Sequence, residues 1–281
     1  MSQIDNDRKV AIDPLLATAL DTTMEETERW QAVRLLGDLG DVRAIDGLLT
    51  VHDQALADEE FVLSLLVVAA LAKLGNHDKA STAIDLVAHE DPTVRVYVAP
   101  VLQLVVGPRL LTALETVVHD EIPEIRLGAV QALFYLGTIE AIDILVGCVE
   151  DEDPDVVNDA RIVLRDVTAD MIGDATIGDV RLWWEQRRLA FESGICYRLG
   201  QPIWLPAIFE EFAEPNRRLQ IMRELRVITG HDFDSTSSTS LSDQQDAVLD
   251  RAWSWWEREG YRFQPGRLYK YGYAQDLARV Y

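Results

Sequence analysis

At 281 residues, with 48% hydrophobic and 26% charged, the chain has room for one large domain or two modest ones and the composition of a soluble globular protein. Asp plus Glu number 48 against 26 Lys plus Arg, a net charge of −22. A field of that sign repels nucleic-acid phosphates and anionic lipid head groups and favours basic partners, so neither a nucleic-acid nor a membrane partner is expected.

The N-terminal stretch Met1 to Val10 is polar and charged and does not read as a signal peptide. The first amphipathic segment runs from Glu28 to Leu39, with Trp30, Val33, Leu36 and Leu39 on one helical face. A shorter helix follows, marked by Ala44, Ile45, Leu48 and Leu49, and then a helix over Asp58 to Leu74. This last segment holds the longest apolar run, Phe61 to Leu71, which contains Ser64 and is about half the length of a membrane span. A cytoplasmic protein is expected.

From there the chain repeats. Asp91-Pro92-Thr93-Val94-Arg95, Ile122-Pro123-Glu124-Ile125-Arg126 and Asp153-Pro154-Asp155-Val156-Val157 place Val94, Ile125 and Val156 31 residues apart each time. Proline stands where a helix start needs no N–H, and apolar residues follow at helical spacing. Shorter helices marked by Ala83 and Ile84, by Leu110, Leu111, Leu114 and Val117, and by Ala141, Ile142 and Leu145 alternate with the long ones. Gly75, Gly107 and Gly137 are expected to close helices in the left-handed conformation. Pro100 falls inside a helix and is expected to kink it. One helix pair cannot bury its apolar face, but a stack of them can.

A second period begins where the first ends. Trp183-Trp184-Glu185, Phe191, Gly194, Tyr197-Arg198 and Gly200 recur 72 residues later as Trp255-Trp256-Glu257, Phe263, Gly266, Tyr269-Lys270 and Gly272. Upstream, Leu164 to Thr168 matches Leu225 to Thr229 at an offset of 61, and the difference falls in the Ser/Thr-rich stretch at about 232–243, expected to be a flexible loop. Each unit of this tandem duplication reads as a helix, a Thr-ended turn, a Trp-rich helix and a hairpin-like segment. One Trp of each pair is expected to pack inward while the other covers the neighbouring unit. Tyr197, Arg198 and Tyr269 are candidate partner contacts; the alternative is a cap whose basic residue pairs with the acidic stack.

Catalytic signatures are not recognisable. His52, His89 and His119 are expected at helix C-termini, where they complement the macrodipole, and they lack the spacing of metal ligands. His231-Asp232-x-Asp234 reads as a turn. Cys148 and Cys196 make no disulfide framework. Neither a cofactor nor a metal is expected. The inter-helix turns, by contrast, are acidic: Glu90 and Asp91, then Glu121 and Glu124, then Glu150, Asp151, Glu152, Asp153 and Asp155. Some of these carboxylates cap helices. Repeated at equivalent positions of a stack, they are expected to form a negative rim that captures a basic protein, with Glu121, Glu124, Asp151, Asp153 and Asp155 as candidate contacts.

The Asp-Pro-x-Val-Arg opening, the alanine-rich helix, the glycine and the Ala-Ile-x-x-Leu continuation resemble HEAT repeats over residues 28 to 168, most like the short bacterial kind of the phycobilisome lyases. Val157 departs from that pattern, which has Arg there. The stretch from 164 to 273, with its ending Phe263-Gln264-Pro265-Gly266-Arg267-Leu268-Tyr269, resembles the C-terminal segments of bacterial HEAT-like proteins, some encoded near type VI secretion genes. The resemblance implies an all-α fold, a right-handed α-solenoid of HEAT-like helix pairs (1–168) followed by a duplicated Trp-rich, mostly helical module (169–281). The expected function is that of a non-enzymatic protein-binding protein, most concretely a bacterial immunity or adaptor protein for a secreted toxin. An assembly scaffold and a lyase-like enzyme of the phycobilin type are the alternatives.

Overall fold

The computed structural model describes residues 3–107, 109–170, 176–211, 217–231, 233 and 241–276. The chain is mainly helical and divides into two compact units, residues 1–132 and 133–278. The first unit holds α1 (Gln3–Leu20), α2 (Glu26–Leu39), α3 (Ile45–Ala57), α4 (Phe61–Lys73), α5 (Ala80–Asp85), α6 (Pro92–Leu102) and α7 (Leu110–Val117). The division falls inside α8 (Pro123–Leu136). The second unit continues with α9 (Ile139–Cys148), α10 (Pro154–Thr168), α11 (Ile177–Arg187), β1 (Tyr197–Arg198), β2 (Gln201–Pro202), α12 (Leu205–Glu210), α13 (Arg218–Thr229), α14 (Leu241–Glu259), β3 (Tyr269–Lys270) and β4 (Tyr273–Ala274). The sequence period places a boundary at 168 and the packing places one at 132/133. They differ because α9 and α10 are tied to the Trp-rich module by the contacts described below.

In the first unit α2, α3 and α4 are of nearly equal length, 14, 13 and 13 residues, so the helix expected to be shorter is not; long and short helices alternate only from α4 onward, where α5 has 6 residues, α6 11 and α7 8. Val33, Leu36, Leu48, Leu71 and Val67 are fully buried in one apolar cluster. The helix α1 carries Ile12 and Ala19 into the same cluster, a contribution that the polar N-terminal sequence does not announce. Two glycines set how closely helices approach: a Cβ on Gly37 of α2 would lie 2.8 Å from the Ala70 Cα of α4, and one on Gly128 of α8 would lie 2.5 Å from the Ala99 Cβ of α6.

The arginine of the repeat opening has a structural task. Arg95 is buried; its Nε donates to Asp120 Oδ2 at 2.7 Å, its Nη2 to Glu121 Oε1 at 2.8 Å and its Nη1 to the His89 carbonyl at 2.9 Å, so it joins its own turn to the next one. Arg126, also buried, donates to the Asp120 carbonyl at 2.8 Å. Arg29 does comparable work earlier, donating to the Ala19 carbonyl at 3.1 Å and to Glu60 at 2.6 Å. Turn carbonyls that would otherwise be orphaned are thereby satisfied.

Three expectations change. Gly75 and Gly137 do adopt positive φ, +79° and +57°, but Gly107 does not; its smallness serves packing, because a Cβ there would meet Ala80 Cβ at 3.3 Å. His52 lies within α3 rather than at its end, 1% exposed, with Nε2 3.0 Å from Thr82 Oγ1, and burial lowers its pKa. Pro100 stands two residues before the end of α6, where only the final turn of that helix is affected. Most of the loop at 232–243 lies outside the described residues.

Replacing Gly37 by Ala forces α2 and α4 apart and is expected to destabilise the protein by about 1–3 kcal/mol, read as a lowered Tm. An unchanged Tm would contradict the close helix approach.

Candidate functional site

The two copies of the 72-residue repeat build the same object twice. Each begins with a helix end stapled by threonine: Thr168 Oγ1 donates to the Leu164 carbonyl at 2.7 Å, and Thr229 Oγ1 to the Leu225 carbonyl at 2.7 Å. The next residue is left-handed in both, Ala169 at φ 65° and Gly230 at φ 71°. Each copy ends in a two-residue antiparallel ribbon, β1–β2 and β3–β4, in equivalent register. The ribbon turn then docks on the stapled helix end. Leu199 N–H donates to the Asp166 carbonyl and Gly200 N–H to the Val167 carbonyl, both at 2.8 Å; Tyr271 N–H donates to the Val227 carbonyl at 2.6 Å and Gly272 N–H to the Ile228 carbonyl at 2.8 Å. These bonds fill carbonyls that a helix C-terminus leaves without partners. Glycine is needed at the second position, since a Cβ on Gly200 would lie 2.7 Å from the Thr168 carbonyl oxygen and one on Gly272 would lie 2.8 Å from that of Thr229.

The copies also interlock. Cys196 N–H donates to the Gly266 carbonyl, and Gly266 N–H to the Ile203 carbonyl, each at 2.9 Å. Tyr197 N–H donates to the Gly137 carbonyl at 2.8 Å, and Trp184 Nε1 to Asp143 Oδ1 at 2.7 Å, which ties the module to α9 and the turn before it.

This geometry decides where the candidate residues point. Tyr197, Arg198, Tyr269 and Lys270 are all buried, so they offer a partner little surface. Tyr197 Oη accepts from Glu192 N–H at 2.7 Å, and Tyr269 Oη accepts from Gln264 N–H at 3.0 Å. Each tyrosine packs its ring on the preceding Phe of the motif, Phe191 or Phe263, with 4.6 Å between centroids. Arg198 is paired, but inside its own module: Nε to Glu224 Oε1 at 2.5 Å, Nη2 to Glu224 Oε2 at 3.0 Å, and Nη1 to Glu211. Glu211 is shared with Arg217 at 2.8 Å, and Arg217 reaches the buried Asp166 at 3.1 Å. Burial disfavours the Arg198 cation, yet Glu224 and Glu211 raise its pKa; burial raises that of Glu224.

Its counterpart Lys270 sits 1% exposed, with Nζ 5.1 Å from the centroid of the Tyr135 ring. Burial pushes its pKa down to about 7, opposed by Cys196; the buried Cys196 thiol is pushed up to about 12. Cys148 and Cys196 are both buried, and neither forms a disulfide.

One tryptophan of each pair is buried and the other half-buried, with the order reversed between copies. Trp184 is buried and Trp183 half-buried in the first; Trp255 is buried and Trp256 half-buried in the second. In the second copy Trp255 packs among His231, Phe233 and Phe263, and Trp256 meets Phe209 of α12 and Trp204, just before α12, at 6.2 and 5.0 Å between centroids. Beside α12 the surface opens into a groove of about 760 Å³, which no motif in the sequence signals.

Of the acidic candidates, Glu121, Asp151 and Asp153 lie in the inter-helix turns, and Glu124 and Asp155 in the first turns of α8 and α10. Glu121, Glu124 and Asp155 are exposed, and Asp151 and Asp153 partly so. Asp153 Oδ1 caps α10 by accepting from Asp155 N–H at 2.9 Å, and Asp151 Oδ1 accepts from Asp153 N–H at 2.8 Å. Glu121 accepts from Arg95 yet its side chain stays 79% exposed. The His231 cluster includes Asp232 and Asp234, which lie outside the described residues; the His231 ring itself stacks on Trp255 at 5.9 Å.

Two family models match the chain: HEAT repeats over residues 82–165 and the PBS lyase HEAT-like repeat over residues 28–51. No curated protein matches it. Among solved structures, the complex of CpcE and CpcF of phycocyanin lyase from Nostoc sp. PCC7120 is similar at 18% identity and a TM-score of 0.46, over 86% of this chain and 93% of that one. An archaeal HEAT-like repeats protein from Thermococcus onnurineus NA1 is similar at 17% identity and a TM-score of 0.36, over 90% and 94%.

Lys270 makes stability depend on pH in a known direction. Its pKa is lower folded than unfolded, so between about 7 and the ordinary lysine value the unfolded chain binds more protons, and stability rises with pH. Below pH 7 both states are protonated and the full cost of the buried cation is present. From pH 7 to pH 9 the protein is expected to gain on the order of 2 kcal/mol relative to Lys270→Met, measured by urea unfolding. Parallel pH profiles would contradict the buried cation.

Proposed function

We propose that the chain is a non-enzymatic protein-binding repeat protein whose acidic inter-helix turns take a basic partner. HEAT-type helix pairs stack into extended surfaces that are commonly used to bind other proteins. What carries the reading is the recurrence of exposed carboxylates around successive helix starts: Glu121 and Glu124 in the first unit, and Glu150, Glu152 and Asp155 in the second. Capping and ion pairing use some of the acidic side chains, notably Asp153 and Asp151, but leave Glu121 largely in solvent. With a net charge of −22 behind them, such turns accelerate the encounter with a basic surface. The concrete form is an immunity or adaptor protein for a secreted toxin, supported by the likeness of residues 164–273 to the tails of bacterial HEAT-like proteins, some of them encoded near type VI secretion genes.

The test is association with the product of a neighbouring toxin gene, followed by surface plasmon resonance. Reversing Glu121, Glu124 and Asp155 together to Lys is expected to slow association by about tenfold at low salt, measured well below a Tm that falls because the Glu121–Arg95 bond and two helix-start carboxylates are lost, and added salt is expected to slow the unaltered protein similarly. No complex at low salt would contradict the proposal.

A further inference from the structure

We infer that the groove beside α12 is a docking site for a basic peptide segment, taking an arginine or lysine side chain between Trp204 and Glu210. The inference rests on the reading of the chain as a binder of a basic partner and assigns that partner a second contact, made by residues other than those of the acidic turns.

The groove encloses about 760 Å³, far more than a few waters, and its wall is apolar: Leu199, Pro202, Ile208 and Pro265 contribute to it. Trp204 is 36% exposed, and its ring is held by an edge-on contact with Trp256 at 89° between planes. A fixed indole with an open side is what a cation with an aliphatic stem packs against.

The charge at the groove is selective as well. Arg198 lies in its floor, but Glu224 and Glu211 consume that cation internally, and Glu211 is shared again with Arg217. Glu210, at the end of α12, is exposed at the lining, and no ion pair among the described residues holds it. An incoming guanidinium or ammonium therefore meets one aromatic wall and one carboxylate that is not already engaged. An anionic segment meets Glu210 and the −22 field of the chain. The occupant that matches both wall and charge is a segment in which a basic residue is flanked by apolar ones.

The probe is a fluorescein-labelled Gly-Leu-Arg-Leu-Gly peptide, with versions carrying Glu or norleucine in place of Arg, read by fluorescence anisotropy on the full chain. The Arg peptide is expected to bind at least about tenfold tighter than the Glu and norleucine peptides. Trp204→Ala is expected to weaken it by about tenfold, as loss of an aromatic anchor does. Glu210→Arg alters an exposed side chain that no ion pair holds, so it tests the same site without disturbing the Trp256 contact; it is expected to weaken binding by about fivefold with Tm unchanged. Equal binding of the Arg and norleucine peptides, no binding of the Arg peptide at about millimolar concentration, or intact binding in Glu210→Arg would each overturn the groove. The triple turn reversal separates the two readings. Loss of the protein partner with peptide binding intact leaves both standing, whereas intact partner binding in that variant overturns the acidic turns and leaves the groove.

Discussion

The second unit depends on one interaction made twice: a ribbon turn donating two consecutive backbone N–H groups to the last carbonyls of a helix. A helix C-terminus leaves four carbonyls without internal partners, and burying them unmet is costly. Here Leu199 with Gly200, and Tyr271 with Gly272, supply the donors. The chain can do so only with left-handed backbone at both positions, φ 49° and 69° in the first copy and 49° and 82° in the second. Because the ribbon is fixed against the helix, the residue just before its turn must point into the module. That position holds Arg198 in one copy and Lys270 in the other.

The two copies then solve the same problem, a buried cation, by different chemistry. Arg198 keeps its charge through bidentate pairing with Glu224 and a further bond to Glu211, the geometry that a planar guanidinium favours. Lys270 faces the Tyr135 ring and Cys196, and burial shifts it towards the neutral amine. A lysine gives up its proton readily when desolvated, and an arginine does not, so duplication followed by an Arg-to-Lys difference yields a module of two electrostatic halves. These side chains are interior supports; the partner contacts proposed above are the acidic turns and the groove beside α12.

Much of the fold was legible because it rests on period. Val94, Ile125 and Val156 announce the helix pairs at equal spacing, and the Trp-Trp-Glu, Phe, Gly, Tyr and Gly positions announce two equal modules whose helix, ribbon and turn all recur. The candidate site was less legible. Tyr197, Arg198 and Tyr269 have the chemistry of interface residues, and only the docking of the ribbon makes them interior. Their partners, Glu224 and Glu211, lie 26 and 13 residues from Arg198, with no local pattern to mark them. The groove depends on α12, which falls between the copies and so belongs to neither period. Gly107 and His52 were misplaced for a related reason: a helix-ending glycine and a packing glycine look alike in sequence, as do a terminal and a mid-helix histidine.

Amide hydrogen exchange of the full chain tests the docked ribbons most directly. If the turns close the helix ends, the amides of Leu199, Gly200, Tyr271 and Gly272 exchange as slowly as those in the body of α10 and α13, in both copies. Exchange of these four amides at the rate of exposed turns, with the helices still protected, would contradict the account.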